Sequence, residues 1–254
     1  MEETHRALLV LTSSESKRLI GRAVARLPEV QRALADGRII IGNGTTNAYV
    51  AEELLGAKVP RWRFAAGVIA GSRLDVTEGA TRLPPFALKQ GKPFEGGWIE
   101  LLKEFGRGDV FIKGGNALDP EGNVGVLLAS DVGGTVGQMF GIVSARGAHL
   151  ISPIGLEKLV PDVIEAARHC GIASTDLTDG IASGMAVLAG AQVVTEIEAF
   201  ELLCGVNAWH VASGGIAGSE GAVTIAVEGS PEAVKATADL AIGLANEPPV
   251  GRES

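Results

Sequence analysis

The stretch Asp109-Val110-Phe111-Ile112-Lys113-Gly114-Gly115-Asn116-Ala117-Leu118-Asp119-Pro120-Glu121 joins a short apolar run to a glycine turn that carries a lysine, an asparagine and two carboxylates. The run at residues 109–112 is typical of a buried strand. A buried strand that ends in a flexible polar turn is a common way for an α/β protein to build a site. We therefore interpret residues 113–121 as a candidate site.

Two further glycine turns flank this stretch in sequence. Gly42-Asn43-Gly44-Thr45-Thr46 follows the apolar run 38–41, and Asp131-Val132-Gly133-Gly134-Thr135 follows the apolar run 125–129. A helical pattern begins after each turn, and a helix N-terminus that follows a glycine turn favours phosphate binding, because its free N–H groups and the positive end of its dipole point at the turn. For residues 42–46, a tight turn with a threonine cap is the other interpretation. Ligands bind at the carboxyl ends of parallel strands, so we expect the three turns to converge on one small anion.

Strands and helices alternate up to about residue 170. This pattern predicts an α/β core at residues 1–178, with a mainly parallel, Rossmann-like sheet and helices on both faces. The order β-α-β-β-α at residues 179–246 predicts a small α+β portion, for which a ferredoxin-like layer is one arrangement. Residues 61–69 are predicted to form a strand, and the polar stretch 71–98 to be a solvated excursion, a lid or an oligomer contact. The tail, residues 247–254, is predicted to be disordered.

Composition narrows the class of partner and the compartment. The formal net charge of −8 argues against nucleic-acid binding through a basic surface. The first residues lack the pattern of a signal peptide, and no apolar run reaches the roughly 18 residues that span a bilayer. The chain has two distant cysteines, which favour a reducing compartment. We therefore expect a cytoplasmic protein without nucleic-acid or membrane partners, and its glycine-rich, aliphatic composition favours a homo-oligomer.

The sequence predicts neither a metal site nor a cofactor. The histidines and cysteines at positions 169, 170, 204 and 210 match no spacing of metal ligands. Asn43-Gly44-Thr45 lacks the Gly-Lys-Ser/Thr ending of a P-loop. The glycine pattern of nicotinamide-binding proteins opens no helix of this chain, and no nucleophile elbow is present.

Two of the motifs resemble the superfamily of ribose-5-phosphate isomerase, glucosamine-6-phosphate deaminase and CoA transferases. Residues 41–46 are similar to a shortened form of the isomerase's phosphate turn, Gly-x-Gly-Thr-Gly-Ser-Thr, and residues 112–118 resemble its Ile-Lys-Gly-Gly-Gly-Ala-Ala-Leu motif. The resemblance implies that Lys113 steadies a negative oxygen and that Glu121 moves protons between adjacent carbons. The isomerase's Asp-Gly-Ala-Asp loop is absent, and Asp119-Pro120-Glu121-Gly122 stands where the isomerase has Arg-Glu-Lys.

These observations give one set of candidate residues and three candidate functions. Lys113 and Glu121 are the predicted catalytic residues. The predicted ligand contacts come from the three turns: Gly42, Asn43, Gly44, Thr45, Thr46, Gly114, Gly115, Asn116, Asp119, Asp131, Gly133, Gly134 and Thr135. Asn116 and Asp119 fit either hydroxyl binding or turn stabilisation, and Asp131 fits either substrate orientation or helix capping.

The first candidate function is isomerisation of a small anionic, sugar-phosphate-like metabolite by carboxylate-assisted proton transfer. The second is a non-catalytic module of the same fold that binds such a metabolite as an effector, which the missing loop favours. The third is an acyl or CoA transferase, in which Glu121 or Glu157 would accept the acyl group.

Overall fold

Residues 4–252, which the computed structural model describes, form a mixed α/β fold. The α-helices are Ser13–Arg26 (α1), Pro28–Asp36 (α2), Thr45–Leu55 (α3), Gly97–Lys103 (α4), Gly134–Arg146 (α5), Val163–Arg168 (α6), Glu196–Cys204 (α7) and Pro231–Leu244 (α8). The strands are His5–Leu11 (β1), Arg38–Ile41 (β2), Gly67–Ala70 (β3), Arg73–Val76 (β4), Phe86–Lys89 (β5), Lys92–Pro93 (β6), Val110–Ile112 (β7), Ala117–Leu118 (β8), Val124–Leu128 (β9), His149–Pro153 (β10), Gly184–Val187 (β11), Gln192–Val194 (β12), Asn207–Ser213 (β13) and Val223–Gly229 (β14). A 3₁₀ turn occupies Leu156–Lys158.

The largest sheet has six strands in the order β12-β10-β7-β2-β5-β6. Strands β2, β7, β10 and β12 are parallel, and β5 and β6 add an antiparallel edge. The central pair consists of continuous apolar runs, and residues 39–41 of β2 and 110–112 of β7 are completely buried. Strands that are buried on both faces read as such runs rather than as alternating patterns, which is why these two were predicted from the sequence.

The first two glycine turns lie side by side at the carboxyl edge of this sheet. Ile39 pairs with Val110 and Ile41 with Ile112, so β2 and β7 end at the same level. The amide of Gly42 donates to the carbonyl of Ile112 at 2.9 Å, which ties the start of one turn to the end of the neighbouring strand.

The third turn follows β9, which lies in a different sheet from β2 and β7. Strand β9 pairs antiparallel with both β8 and β11 in a three-stranded sheet. The chain after residue 179 therefore returns to the core, since β11 joins β9 and β12 joins β10. This pairing crosses the boundary that was predicted at residues 178 and 179.

The remaining C-terminal strands form a three-stranded antiparallel sheet with the first strand of the chain, in the order β1-β14-β13. The predicted small α+β portion thus takes a strand from the N-terminal end, and β12 belongs to the large sheet instead. The predicted tail is also attached where the structure describes it. Glu247 forms ion pairs with Arg18 at 3.1 Å and with Arg61 at 2.8 Å, while residues 253 and 254 lie outside the described residues.

Residues 61–98 differ from the prediction in their elements. A turn occupies residues 61–64, and the first strand is β3, which forms a two-stranded hairpin with β4. The hairpin is attached through Leu74, whose amide donates to the carbonyl of Asp179 at 3.2 Å and whose carbonyl accepts from Ile181 at 3.0 Å. A Cβ at Gly180 would lie 1.9 Å from the Leu74 carbonyl oxygen, so the close approach of these two segments requires glycine.

No helix among residues 4–252 is long and apolar enough to cross a membrane.

Candidate functional site

A cleft of about 330 Å³ lies where residues from all three glycine turns meet. Eleven of the predicted site residues line it: Asn43, Gly44, Thr45, Thr46, Lys113, Gly114, Gly115, Asn116, Gly133, Gly134 and Thr135. The other predicted residues lie outside the described lining: Gly42, Asp119, Glu121 and Asp131. The turns thus come together, while the carboxylates predicted with them do not.

Asp119 and Glu121 lie in the turn that joins β8 to β9, beyond the two strand residues that follow Asn116. The buried Asp119 carboxylate accepts hydrogen bonds from the amides of Asn123 and Val163, at 2.9 and 3.0 Å. Burial works to raise the pKa of Asp119, but these hydrogen bonds outweigh it and lower the pKa. Asp119 therefore stabilises the turn, and Glu121 is exposed at its tip. This placement agrees with turn chemistry, since Asp-Pro-x-Gly favours a tight turn.

The N-terminus of α3 forms one end of the cleft. Gly44 has φ of +157°, and its carbonyl accepts the first intrahelical hydrogen bond, from Ala48. The amides of the first helical turn have no partner within the helix. Two buried side-chain atoms that belong to the lining residues Thr46 and Asn47 also lack a hydrogen-bond partner within the described chain: the Thr46 Oγ1 and the Asn47 Oδ1. Both atoms are buried, and buried polar atoms are rarely left without a partner, so this helix end is an exception in the hydrogen bonding of the described chain.

The Asn47 side chain connects this helix end to the sheet. Its Nδ2 donates to the carbonyl of Gly42 at 2.7 Å, and it lies 3.4 Å from the carbonyl of Ile112. Asn43 is equally fixed, because its Nδ2 donates to the carbonyls of Phe64 and Leu83 at 3.1 and 2.8 Å. The side chain of Asn43 therefore holds the turn in place and leaves its backbone carbonyl facing Lys113.

Lys113 and Lys158 contribute positive charge to the cleft, as does Arg82. The Lys113 Nζ donates to the carbonyl of Asn43 at 3.2 Å, and the Lys158 Nζ donates to the carbonyl of Gly115 at 3.0 Å. Neither forms an ion pair with a carboxylate among residues 4–252. Burial, and secondly the charge of Lys158, lower the pKa of Lys113 to about 8. These two half-buried cations make this part of the cleft locally positive in a chain of net charge −8.

The third turn contributes the N-terminus of α5. Gly133 and Gly134 have φ of +71° and +53° there, and no side chain caps the helix. A Cβ at Gly137 would lie 2.0 Å from the Val132 carbonyl oxygen, so the turn is packed tightly against its own helix. Ser130 and Thr135 bring hydroxyl groups to the cleft beside these glycines.

Packing within the chain restricts two of the site glycines. A Cβ at Gly115 would lie 2.4 Å from the Val124 Cγ1, and one at Gly114 would lie 3.1 Å from the Pro153 carbonyl oxygen. Packing against Val124 therefore accounts for Gly115, whereas a side chain at Gly114 would need the Pro153 carbonyl to move by a few tenths of an ångström.

Sequence reasoning missed six polar residues of the lining: Asn47, Asp75, Arg82, Ser130, Lys158 and Ser183. Lys158 follows β10, whose pairing with β7 brings it towards Lys113, and this pairing is a long-range property. Arg82 is held by Thr77, whose Oγ1 accepts from the Arg82 Nε at 2.7 Å. Among the described residues that line the cleft, Asp75 is the one with a carboxylate side chain. Its Oδ1 accepts a hydrogen bond from the amide of Val76 at 2.7 Å. Only Asn47 had a local signal, since it follows two threonines at the start of a helix.

Among the described residues, no group of three or more histidine, cysteine, aspartate or glutamate side chains could hold a metal ion. Comparisons of the chain with protein-family models, curated proteins and solved structures found no match.

Proposed function

We propose that this protein binds a small phosphorylated metabolite in the cleft, at the carboxyl edge of a Rossmann-like core. One observation carries the proposal: Lys113 and Lys158 line the cleft without a carboxylate partner in the described chain, beside a helix N-terminus where a buried hydroxyl is also unpaired. A phosphate group offers charge to both lysines and acceptor oxygens to the amides and the hydroxyl.

The position of the carboxylates favours a binding module over an isomerase that uses Glu121. Proton transfer between adjacent carbons needs a base within hydrogen-bond reach of the substrate, and Glu121 is exposed in the turn outside the cleft. If the protein is an isomerase, Asp75 is the candidate base, because it is the carboxylate residue among the described residues that line the cleft; it is exposed on β4, on the hairpin face opposite Ile69 and Val76. The position of Glu121 outside the cleft likewise does not favour the acyl-transferase alternative, in which this residue would accept the acyl group.

Calorimetric titration with inorganic phosphate and ribose 5-phosphate tests the binding proposal. Lys113→Met and Lys158→Met are each expected to weaken binding about tenfold to a hundredfold, because each removes a charge-assisted hydrogen bond. Lys103→Met is the matched control, since Lys103 is exposed at the end of α4. Equal affinity in all three variants and in the unaltered protein would contradict the proposal.

Thr46→Val separates ligand binding from folding. The Thr46 hydroxyl has no partner in the described chain, so its removal should leave the free energy of unfolding unchanged or slightly higher. The same change should weaken phosphate binding if the hydroxyl contacts the ligand. A stability loss without any change in affinity would assign Thr46 to the fold.

Solvent exchange separates the binding module from the isomerase. An isomerase should incorporate deuterium from heavy water into the bound sugar phosphate at a carbon next to the carbonyl. Asp75→Asn should abolish this exchange and Glu121→Gln should not, if Asp75 is the base. Tight binding of the sugar phosphate without exchange would establish the binding module.

A further inference from the structure

The β3–β4 hairpin presents an apolar face to the cleft. Ile69 pairs with Leu74, and Gly67 pairs with Val76, so these residues share one face of the hairpin. All four line the cleft, and so do Val68 and Asp75, which pair with each other on the opposite face of the hairpin. Ile69 is 71% exposed and Val76 is 39% exposed, while Leu74 is half-buried, so much of this face is open to solvent. Exposed apolar groups that border a cleft are typical of a ligand-binding surface.

A second apolar surface lines the cleft from β9 and the start of α5. Its members are aliphatic: Val126, Leu127, Leu128 and Val136. Ile181 adds to the cleft from the segment that holds the hairpin. No aromatic ring belongs to the described lining, so the cleft offers no platform on which a nucleobase would stack.

A bare sugar phosphate does not match these apolar surfaces. A sugar carries a hydroxyl on nearly every carbon, and each hydroxyl that leaves water needs a hydrogen-bond partner. The aliphatic side chains of the hairpin provide none. Extended hydrocarbon is the chemistry that gains most from contact with them, because the gain follows the apolar area removed from water.

We propose, on the basis of the proposed phosphate site, that the ligand is an amphiphilic anion: a phosphate monoester with an aliphatic chain. Its phosphate lies between Lys113, Lys158 and the N-terminus of α3. Its chain lies between the face formed by Ile69, Leu74 and Val76 and the aliphatic residues of β9. In this arrangement the hairpin favours phosphorylated ligands that carry an aliphatic chain. The two lysines and the N-terminus of α3 bind the phosphate group that all such ligands share.

The hairpin is built as a separate unit over the cleft, which suits this role. It forms its own two-stranded sheet, and a two-stranded hairpin alone is only marginally stable. The backbone contacts of Leu74 with residues 179–181 attach it, at a place where only glycine fits at position 180. Apolar contact with a ligand chain would add to this attachment.

The test is a calorimetric titration with n-alkyl monophosphates from methyl to hexyl phosphate, with inorganic phosphate and ribose 5-phosphate in the same buffer. Affinity is expected to rise about threefold to fourfold for each added methylene until the apolar surface is covered. Pentyl phosphate should bind more tightly than ribose 5-phosphate, although both carry five carbons and one phosphate.

Ile69→Ser should weaken hexyl phosphate binding on the order of tenfold and leave inorganic phosphate binding unchanged. The side chain is largely exposed, so the change leaves the core intact. Ile242→Ser is the matched control, because Ile242 lies in α8 outside the cleft and is 72% exposed; it should change neither affinity.

Phosphate binding with no dependence on chain length, or tighter binding of ribose 5-phosphate than of pentyl phosphate, would overturn this inference and leave the phosphate site standing. An equal loss in both isoleucine variants would overturn the role of the hairpin. If neither inorganic phosphate nor any ester binds, the proposed function fails and this inference fails with it.

Discussion

Anion affinity in this protein should follow the protonation of Lys113. The Lys113 ammonium group donates a hydrogen bond to the carbonyl oxygen of Asn43, and it has no carboxylate partner among residues 4–252. Its pKa is lowered to about 8, first by burial and then by the charge of Lys158. A bound phosphate would supply the missing counter-charge and raise this pKa, so binding above pH 8 must be accompanied by proton uptake.

The size of the effect follows from that pKa. At pH 7 about nine-tenths of the free protein carries a charged Lys113, and at pH 9.5 about one-thirtieth does. Since only the protonated fraction is competent to bind, the apparent Kd should rise about thirty-fold between these two values. The second pKa of a phosphate monoester is about 6, so the charge of the ligand is nearly constant over this range.

The assay is calorimetric titration of a phosphate ester between pH 7 and 9.5, in pairs of buffers with different ionisation enthalpies. Close to one proton should be taken up per ligand at pH 9.5. Lys113→Arg is the control, because arginine stays charged throughout; its Kd should vary by no more than about twofold. A Kd that is constant in the unaltered protein, or that rises equally in both proteins, would refute the role assigned to Lys113.

Two predictions concern stability. Glu196 is completely buried, and burial and the charge of Glu157 raise its pKa from 4.5 to about 7. Between pH 4.5 and 7 the folded state therefore binds one more proton than the unfolded state, so the free energy of unfolding should fall by up to about 3 kcal/mol as the pH rises through this range. In urea titrations, Glu196→Gln should flatten this pH dependence. Parallel pH profiles for the variant and the unaltered protein would contradict the role assigned to Glu196. Gly115→Ala would place a Cβ 2.4 Å from the Val124 Cγ1 and should lower the free energy of unfolding by about 1–3 kcal/mol. Gly141 lies in α5 with open space around it, so Gly141→Ala should instead raise the free energy of unfolding by roughly 0.5–1 kcal/mol. Equal changes of the two variants in thermal denaturation would refute the packing argument.

Local patterns predicted the parts of the fold that local physics determines. The runs 39–41 and 110–112 are apolar throughout, so their strands were predictable, and Gly-Asn-Gly-Thr-Thr marks a turn into a helix with equal clarity. The alternation of elements predicted parallel strands, and the structure shows that these two are neighbours. The convergence of two turns at one sheet edge is therefore a consequence of short-range signals.

Long-range pairing determines what the sequence did not reveal. Strand β9 has the composition of a parallel strand, yet it pairs antiparallel with β8 and β11. The hairpin was hidden because residues 61–69 read as one strand, while in the structure a turn at residues 61–64 precedes it. The family-like spacing predicts Glu121 as a site residue, whereas in the structure it lies in the turn formed by Asp119-Pro120-Glu121-Gly122, outside the cleft lining.

The charge of Lys113 opposes folding at neutral pH. Lys113 has a lower pKa in the folded state than its ordinary value of 10.5, so the folded state binds fewer protons between pH 8 and 10.5 and gains stability as pH rises through that window. At neutral pH the charged lysine therefore makes the folded state less stable than it would be with an ordinary lysine. Neighbouring carboxylates relieve this kind of penalty elsewhere in the chain, as Glu52 does for Arg18 and Arg61. A half-buried cation without such a partner in an acidic protein is destabilising unless something else supplies the counter-charge, and an anionic ligand at the N-terminus of α3 would do so.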